Sequence, residues 1–483
     1  MPVVKAMTCP VCGCLCDDIE LTLRDGKIAK VKNGCAMCES KFLGYNGHRL
    51  MTPLARKNGD LVEVSFEEAM AKAARILAEA DYPLLYGWSS TSCEAMRVGI
   101  ELAEEVGGVI DNTSTVCHGP SVLGIQDVGI PSCTLGQIRH RADLIVYWGS
   151  NPWSAHPRHI ERYTSFSEGR FEKSEWKSYV LKNRAWAVRK KIGSAFRKVF
   201  KESAPAPSPA RKDPFPSLLK TGRRLLVVDV RRTRSAEMAD YFVQVEPNKD
   251  YELFQAFRSL VLDQELDVDE VAGVPVEYLE EIADAMVNCA FGVFFFGLGL
   301  TMSAGKHRNI DAAISLTRDL NMRTKFAIMP MRGHFNVSGA NTVFTWQTGY
   351  PYAVDFSLGY PRYNPGETSA VDVLLRGETD AALVVASDPV SNFPKKAAEH
   401  LVKNPLVAID PHLNATSQMA DVVFPSAFVG VEAEGTAYRM DHVPLPLKQV
   451  VPPPEGILPD EEILARLLSE VRRLKSDKKA EEA

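Results

Sequence analysis

Six of the ten cysteines lie between residues 9 and 38, and the first of them form a CxxCxxxC array. The spacing of Cys9, Cys12 and Cys16 suits three thiolate ligands of a [4Fe–4S] cluster. Such a cluster needs a fourth thiolate, which either Cys35 or Cys38 could provide. In a reducing compartment, cysteines this crowded indicate metal binding rather than disulfide bonds. The array therefore predicts an electron-transfer centre near the N-terminus.

Zinc is the alternative occupant of these cysteines. Cys9 and Cys12 together with Cys35 and Cys38 make two CxxC pairs, which is the pattern of a structural zinc ribbon. Cys16 adds a thiol at the spacing of a cluster ligand, and for that reason the array favours iron–sulfur over zinc.

The segment VCHGPS places a second candidate metal ligand in a loop that follows a predicted strand. Cys117 and His118 are adjacent there, and Gly119 lets the backbone approach a large cofactor. Open α/β sheets hold their ligands at the carboxyl ends of strands. A cysteine in isolation is more often a buried, inert thiol, so position is what makes Cys117 a candidate thiolate ligand.

Several other predicted strands end in residues that could hold a nucleotide. Backbone N–H groups and an acidic side chain at strand ends bind phosphates and bases, although a plain turn or helix cap is the alternative for each. The cofactor-binding candidates are Asn151, Asp229, Thr233, Gly297, Gly299, Asp388 and Asp410.

Arg332 is the candidate for binding a small anionic substrate. It follows the predicted strand FAIMP in the segment PMRGHFN. A fixed guanidinium is a natural clamp for a carboxylate, and a surface salt bridge is the alternative.

Apolar strand-like runs alternate with helical stretches from Leu84 onward. This alternation predicts an α/β fold with two doubly wound, mostly parallel sheets, beside a small N-terminal iron–sulfur domain. A β-hairpin is expected around the Asp25-Gly26 turn, and Ser65 with Glu68 predicts the start of a helix.

The expected domains follow from these elements. They are residues 1–55 for the cluster and its hairpin, 56–112 with 276–430 for one dinucleotide-binding α/β domain, 113–275 for a second such domain, and 431–483 for a return segment with the C-terminal helix and tail.

A basic insertion at about 172–219 interrupts the second α/β domain. Residues 170–220 contain 14 Lys and Arg against 4 Asp and Glu, in a chain whose net charge is −5. Val188, Ile192 and Phe196 have helical spacing, and a Pro/Ala-rich linker follows them. A solvated surface insertion is the plain interpretation, and docking to an acidic partner or a membrane surface is the alternative.

The chain of 483 residues has neither an apolar run of about 18 residues nor the apolar stretch of a secretory signal. We therefore expect a cytoplasmic protein with no transmembrane segment.

Taken in order, these motifs resemble the molybdopterin-dependent oxidoreductase superfamily, and within it the family of tungsten- or molybdenum-containing B subunits of formylmethanofuran dehydrogenase. The resemblance runs over nearly the whole chain. It is carried by the segments CPVCGCLCDDIE, YGWSSTSCEA, DNTSTVCHGPSVLGIQDVG, YWGSNPWSAHPRH, VVDVRRT, GKHRNID, PMRGHFNVSG, YPRYNPGET and ADVVFPSAFVGVEAEGTAYRM.

The resemblance implies a role for each candidate ligand. It implies that Cys9, Cys12, Cys16 and one later cysteine hold a [4Fe–4S] cluster. That later cysteine is expected to be Cys35, because the family's cysteine lies shortly before the SKF motif, with Cys38 as the alternative.

For the second metal, the resemblance implies that Cys117 ligates tungsten or molybdenum clasped by two molybdopterin guanine dinucleotides. His118 and Arg332 are then expected to line the substrate pocket.

The resemblance also implies a function. It is the reversible reduction of CO2 to formate, which passes to an amidohydrolase-like partner subunit for condensation with methanofuran in methanogenesis. Compared with single-chain molybdopterin oxidoreductases, this chain is expected to have no C-terminal β-barrel domain. Other implied partners are therefore a small β-barrel subunit that completes the pterin site and polyferredoxin-type electron donors. No nucleic acid is expected.

Three alternatives remain open from the sequence. One is a formate dehydrogenase that releases free formate, and another is a non-catalytic electron-transfer subunit. The third is a zinc-ribbon protein that binds nucleic acid through the basic insertion.

Overall fold

The computed structural model describes residues 2–167 and 223–482. Two compact units make up the chain, one formed by Met1–Gly119 with Arg332–Ala483 and the other by Pro120–Met331. The helix expected in the basic insertion lies outside the described residues. Among the described helices, none combines the length and apolar character needed to cross a membrane.

The first unit is built on a nine-stranded sheet whose five central strands are parallel. Alternate residues of the central strands enter two different hydrophobic clusters, so helices cover both faces. Leu85 packs with the helix Cys93–Val106 on one face, and Leu84 packs with the helix Ala370–Arg376 on the other. The strands lie in the order Arg362–Tyr363, Val354–Asp355, Val109–Asn112, Leu84–Gly87, Ala382–Val385, Leu406–Ile409, Val422–Phe424, Leu54–Lys57 and Asp60–Glu63.

A three-stranded antiparallel sheet precedes the large one and carries the cysteine array. Its strands are Val3–Met7, Ile19–Arg24 and Lys27–Lys32. The last two form the predicted hairpin, because Asp25 and Gly26 both adopt positive φ in the turn.

The helices of the first unit include the predicted one after Ser65, whose side chain accepts a hydrogen bond from Glu68 N at 3.1 Å. They are Ala36–Gly44, Phe66–Glu79, Cys93–Val106, Val337–Thr348, Ala370–Arg376, Pro389–Asn392, Lys395–Leu401, Ala415–Met419 and Asp460–Glu482. Two short strands, Gly435–Tyr438 and Pro444–Leu447, form an antiparallel hairpin.

The second unit is built on a five-stranded sheet that is parallel throughout. Its strands lie in the order Tyr241–Gln244, Arg224–Asp229, Leu144–Trp148, Gly292–Phe296 and Phe326–Pro330. A small hairpin pairs Glu270–Val271 with Val274–Pro275. The described helices are Gly119–Val128, Leu135–Arg141, Pro152–Ala155, Pro157–Arg162, Arg234–Glu237, Asp250–Val261, Val276–Val287, Leu298–Thr301 and His307–Leu320.

The expected boundary at residue 276 differs from the structure. Residues 276–331 were expected in the α/β domain that begins at residue 56, but Gly292–Phe296 pairs with Leu144–Trp148 over five residues. The physical reason is burial: Phe294 and Phe296 pack in one core with Leu144, Val146 and their helices, so these strands belong to the second unit.

Candidate metal and cofactor site

A short 3₁₀ turn, Thr113–Val116, carries the chain from the strand Val109–Asn112 to Cys117. Asn112 caps this turn by accepting a hydrogen bond from Ser114 N at 3.0 Å. Cys117 N then donates to Ser114 O at 3.0 Å. Cys117 is half-buried and His118 is fully buried. The strand-end loop expected for Cys117 is therefore present, and it is held in one conformation by its own hydrogen bonds.

Arg332 lies close enough to Cys117 for each to affect the other's protonation. Burial raises the pKa of the Cys117 thiol to about 11, and the Arg332 charge opposes that increase. Burial lowers the pKa of Arg332 to about 10, and Cys117 opposes that decrease. Arg332 is only 3% exposed, and its Nη1 donates to Asn341 Oδ1 at 2.6 Å. Two of the three predicted catalytic residues, Cys117 and Arg332, thus lie near each other, and Arg332 provides a buried positive charge there.

His442 is a histidine near this pair that sequence reasoning missed. Its Nδ1 lies 3.5 Å from Thr342 Oγ1, and its backbone adopts a positive φ of 60°. Burial, followed by the Arg332 charge, lowers its pKa to about 4. The imidazole is therefore neutral at pH 7. The sequence around His442 contains no recognisable motif. Its position near Arg332 depends on the turn in which His442 N donates to Arg439 O.

Four N-terminal cysteines interact with one another. The Cys38 side chain hydrogen-bonds Cys9, and this bond, burial and the neighbouring thiols Cys16 and Cys12 raise the pKa of Cys9 well above its usual value. Cys35 is half-buried at the start of the helix Ala36–Gly44. Of the two candidates for the fourth ligand, Cys38 is the one whose side chain contributes to the raised pKa of Cys9.

Within residues 2–167 and 223–482, no three His, Cys, Asp or Glu side chains are arranged to hold a single metal ion. A [4Fe–4S] cube is bound through separate iron atoms, so its four thiolates surround a larger volume than one ion needs.

The cysteine loop is joined directly to the segment that carries Arg332. Gly13 N donates to Gly333 O at 3.2 Å, and Gly13 O accepts from Met440 N at 2.9 Å. Cys12 also forms a bridge with His334. Only glycine fits at position 13, because a Cβ there would lie 2.5 Å from Arg332 O.

A cavity of about 190 Å³ lies in the first unit beside the cysteine loop. Lys41 and Asp410 line it, and Lys41 Nζ lies 4.3 Å from the centre of the Phe428 ring. Burial lowers the pKa of Lys41 and raises that of Asp410 to about 7, while each charge opposes the shift of the other. Lys41 is the lysine of the SKF motif at residues 40–42. Sequence reasoning missed it as a candidate site residue, because the sequence does not show that its amine is buried.

Asp388 has a different setting from Asp410. Its Oδ1 accepts from Thr416 N at 2.9 Å and from Thr416 Oγ1 at 2.6 Å, and its Oδ2 accepts from Ser391 Oγ at 2.6 Å. These bonds tie together two short helices, so local structure accounts for the carboxylate.

The glycine candidates of the second unit lie where two neighbouring strands end. A Cβ on Gly297 would be 2.6 Å from Gly149 O, and one on Gly299 would be 2.7 Å from Gly149 Cα. The backbones therefore touch, and Gly149, which sequence reasoning missed, adopts a positive φ of 55°.

The polar candidates of the second unit follow the strands Leu144–Trp148 and Arg224–Asp229. Ser235 Oγ donates to Asn151 Oδ1 at 2.7 Å, and Thr233 Oγ1 accepts from Ala236 N at 3.3 Å. Asp229 accepts from Arg231 N at 3.2 Å, and burial raises its pKa. Asn151 is thus joined to the short helix Arg234–Glu237, which the Thr233 side chain caps.

The family model for molybdopterin oxidoreductases matches residues 49–177. Two solved structures share the fold. A chain of the formyltransferase/hydrolase complex from Methylorubrum extorquens, solved in complex with methylofuran, has a TM-score of 0.64 at 20% identity and covers 87% of this chain and 99% of that one. Acetylene hydratase from Pelobacter acetylenicus has a TM-score of 0.66 at 15% identity, and the match covers 98% of this chain and 70% of the hydratase chain. The matched segment indicates the class of molybdopterin oxidoreductases, and the two structures show a shared fold.

Closer relatives specify the family. The B subunit of tungsten-containing formylmethanofuran dehydrogenase 2 from Methanocaldococcus jannaschii is 49% identical over 98% of this chain and 99% of its own length. Its counterpart from Methanococcus maripaludis is 45% identical over 98% of this chain and 100% of its own length. The chain therefore belongs to the family of formylmethanofuran dehydrogenase B subunits, which confirms the resemblance drawn from the motifs.

Proposed function

We propose that this chain is the catalytic subunit of a tungsten-dependent formylmethanofuran dehydrogenase and interconverts CO2 and formate beside Cys117. The observation that carries the proposal is the strand-end loop that presents the half-buried Cys117 thiol, together with the buried Arg332 guanidinium, whose charge acts on that thiol. Both named relatives are tungsten enzymes, which favours tungsten over molybdenum.

Cys117 would hold the metal, and the metal with its two pterin guanine dinucleotides supplies two-electron redox chemistry when bound. A thiol whose pKa is about 11 carries its proton at pH 7, so metal binding there must release that proton. The cavity lined by Lys41 would take part of one dinucleotide.

Reduction of CO2 to formate takes up two electrons and one proton. Arg332 keeps a positive charge beside Cys117, and that charge stabilises the carboxylate as it forms. His118 is the proposed proton carrier, and the neutral His442 is a second imidazole near Arg332.

The fourth cluster thiolate is proposed to be Cys38, because its side chain is the one that hydrogen-bonds Cys9. With Cys9, Cys12 and Cys16 it would hold the [4Fe–4S] cluster that passes electrons singly. Formate would then pass to an amidohydrolase-like partner subunit, which condenses it with methanofuran.

Substitution of Cys117 in the native complex tests the proposal. Cys117→Ala should abolish CO2 reduction and lower the tungsten content while the iron content is retained. Cys133→Ala, which changes another half-buried thiol, is the matched control and should retain both metals. Unchanged turnover in Cys117→Ala would remove Cys117 from the mechanism.

The product distinguishes the proposed enzyme from a formate dehydrogenase. With methanofuran present, the wild-type complex should yield formylmethanofuran, whereas accumulation of free formate alone would favour the dehydrogenase. Iron without tungsten or pterin in the native complex would favour an electron-transfer subunit.

A further inference from the structure

Asn341 connects the loop that carries Cys117 with the guanidinium of Arg332. It lies on the helix Val337–Thr348, and its side chain is almost completely buried. Its Oδ1 accepts from Arg332 Nη1 at 2.6 Å, and its Nδ2 donates to Ser114 Oγ at 2.9 Å. One amide therefore binds both sides of the proposed reaction site.

The orientation of this amide is determined by its other partner. Nδ2 also donates to Pro351 O at 3.0 Å, and a carbonyl oxygen can only accept. The NH2 group must therefore face Pro351 and Ser114, which leaves the oxygen to face Arg332. Asn112 Nδ2 donates to the same carbonyl at 3.0 Å, so the strand end before the Cys117 loop shares this anchor.

The link from Asn341 to Cys117 is short. Ser114 O accepts from Cys117 N at 3.0 Å, so the residue whose hydroxyl binds Asn341 also closes the turn at Cys117. Ser114 is fully buried, and a movement of Asn341 would therefore be felt at both Cys117 and Arg332.

The chemistry of the amide suits an arginine that must keep its charge. A carboxylate at this position would neutralise the guanidinium and would place an oxygen against Pro351 O. A neutral amide fixes the guanidinium by one hydrogen bond and does not cancel its positive charge, which can then act on an anion.

We propose that Asn341 is a positioning residue for the reaction of CO2 and formate. Its side chain fixes Arg332 relative to the Ser114–Cys117 turn without neutralising the Arg332 charge. The proposal rests on the proposed function, since it assumes that a carboxylate reacts beside Cys117.

The first test is kinetic and uses the native complex. Asn341→Asp should raise the KM for formate by about 10- to 100-fold, because charge-assisted hydrogen bonds to substrate are weakened. The tungsten and iron contents should stay at wild-type levels, and kcat should fall less than the KM rises. An unchanged KM for formate would overturn the proposal.

The matched control is Thr345→Val. Thr345 Oγ1 donates to the main-chain oxygen of Asn341 at 2.7 Å, so this change removes a hydrogen bond from the same helix turn without touching Arg332 or Ser114. Its KM for formate should equal that of the wild type. A rise as large as that of Asn341→Asp would mean that helix stability alone explains the effect, and the proposal would fail.

The second test does not depend on activity. A crystal structure of the complex with Asn341→Leu should show the Arg332 guanidinium and the Ser114 side chain displaced from their wild-type positions. Wild-type positions for both would overturn the positioning role. If the wild-type complex neither oxidised formate nor contained tungsten, the proposed function would fail, and this structural test would still decide whether Asn341 holds the two elements.

Discussion

Gly13→Ala should damage the site from the cysteine side. A Cβ at position 13 would lie 2.5 Å from Arg332 O and 3.4 Å from the carbonyl carbon of the same residue. The first distance is far below van der Waals contact, and the obstacle is backbone rather than a flexible side chain. The cysteine loop or the Arg332 backbone must therefore move by nearly 1 Å.

The cost can be worked out from the contacts. Overpacking of this kind costs about 1–3 kcal/mol. The hydrogen bonds of Gly13 with Gly333 and Met440 are also lost, at about 0.5–1.5 kcal/mol each. Together these effects lower the free energy of unfolding by about 2–6 kcal/mol. A 1 Å displacement of Arg332 should also reduce the turnover of formate by about 100-fold.

The assay compares Gly13→Ala with Gly333→Ala in the purified complex. Gly333 is the hydrogen-bond partner of Gly13, but a Cβ there has nothing within 4 Å, so its substitution should leave urea unfolding and turnover near wild type. If Gly13→Ala unfolded at the same urea concentration as Gly333→Ala and turned over formate within twofold of wild type, the steric argument would be refuted.

Three further predictions concern buried groups. Cys38→Ala should lower the iron content and abolish the EPR signal of the reduced cluster, whereas Cys35→Ala should retain both; the opposite pattern would assign Cys35 as the ligand. Glu432→Ala leaves the buried Arg49 guanidinium without its carboxylate and should cost about 3–5 kcal/mol in urea unfolding, and a loss below about 1 kcal/mol would contradict this. Burial raises the pKa of Asp111 to about 6, against about 3.9 in the unfolded chain, so the unfolded state loses this proton first and stability falls as pH rises from 4 to 6. Relative to Asp111→Asn, the wild type should therefore lose about 2 kcal/mol of unfolding free energy across that window, and a difference that does not vary with pH would exclude this titration.

Local sequence determined the elements whose causes are local. Asp25 and Gly26 specify a hairpin turn because both tolerate positive φ, and Ser65 specifies a helix start because its hydroxyl accepts from a free N–H. The motifs also sufficed to recognise the family, which two relatives at 49% and 45% identity confirm.

Tertiary structure decided what depends on distant neighbours. The strand Gly292–Phe296 lies beside Leu144–Trp148 because their apolar faces share one core, and no residue near position 276 marks that choice. Folding brings Cys38 close enough to Cys9, 29 residues earlier in the chain, to raise the pKa of Cys9. Asn341 lies 227 residues from Ser114 and has no motif of its own. Its role follows only from folding, which buries a polar amide where each of its hydrogen-bonding groups must find a partner.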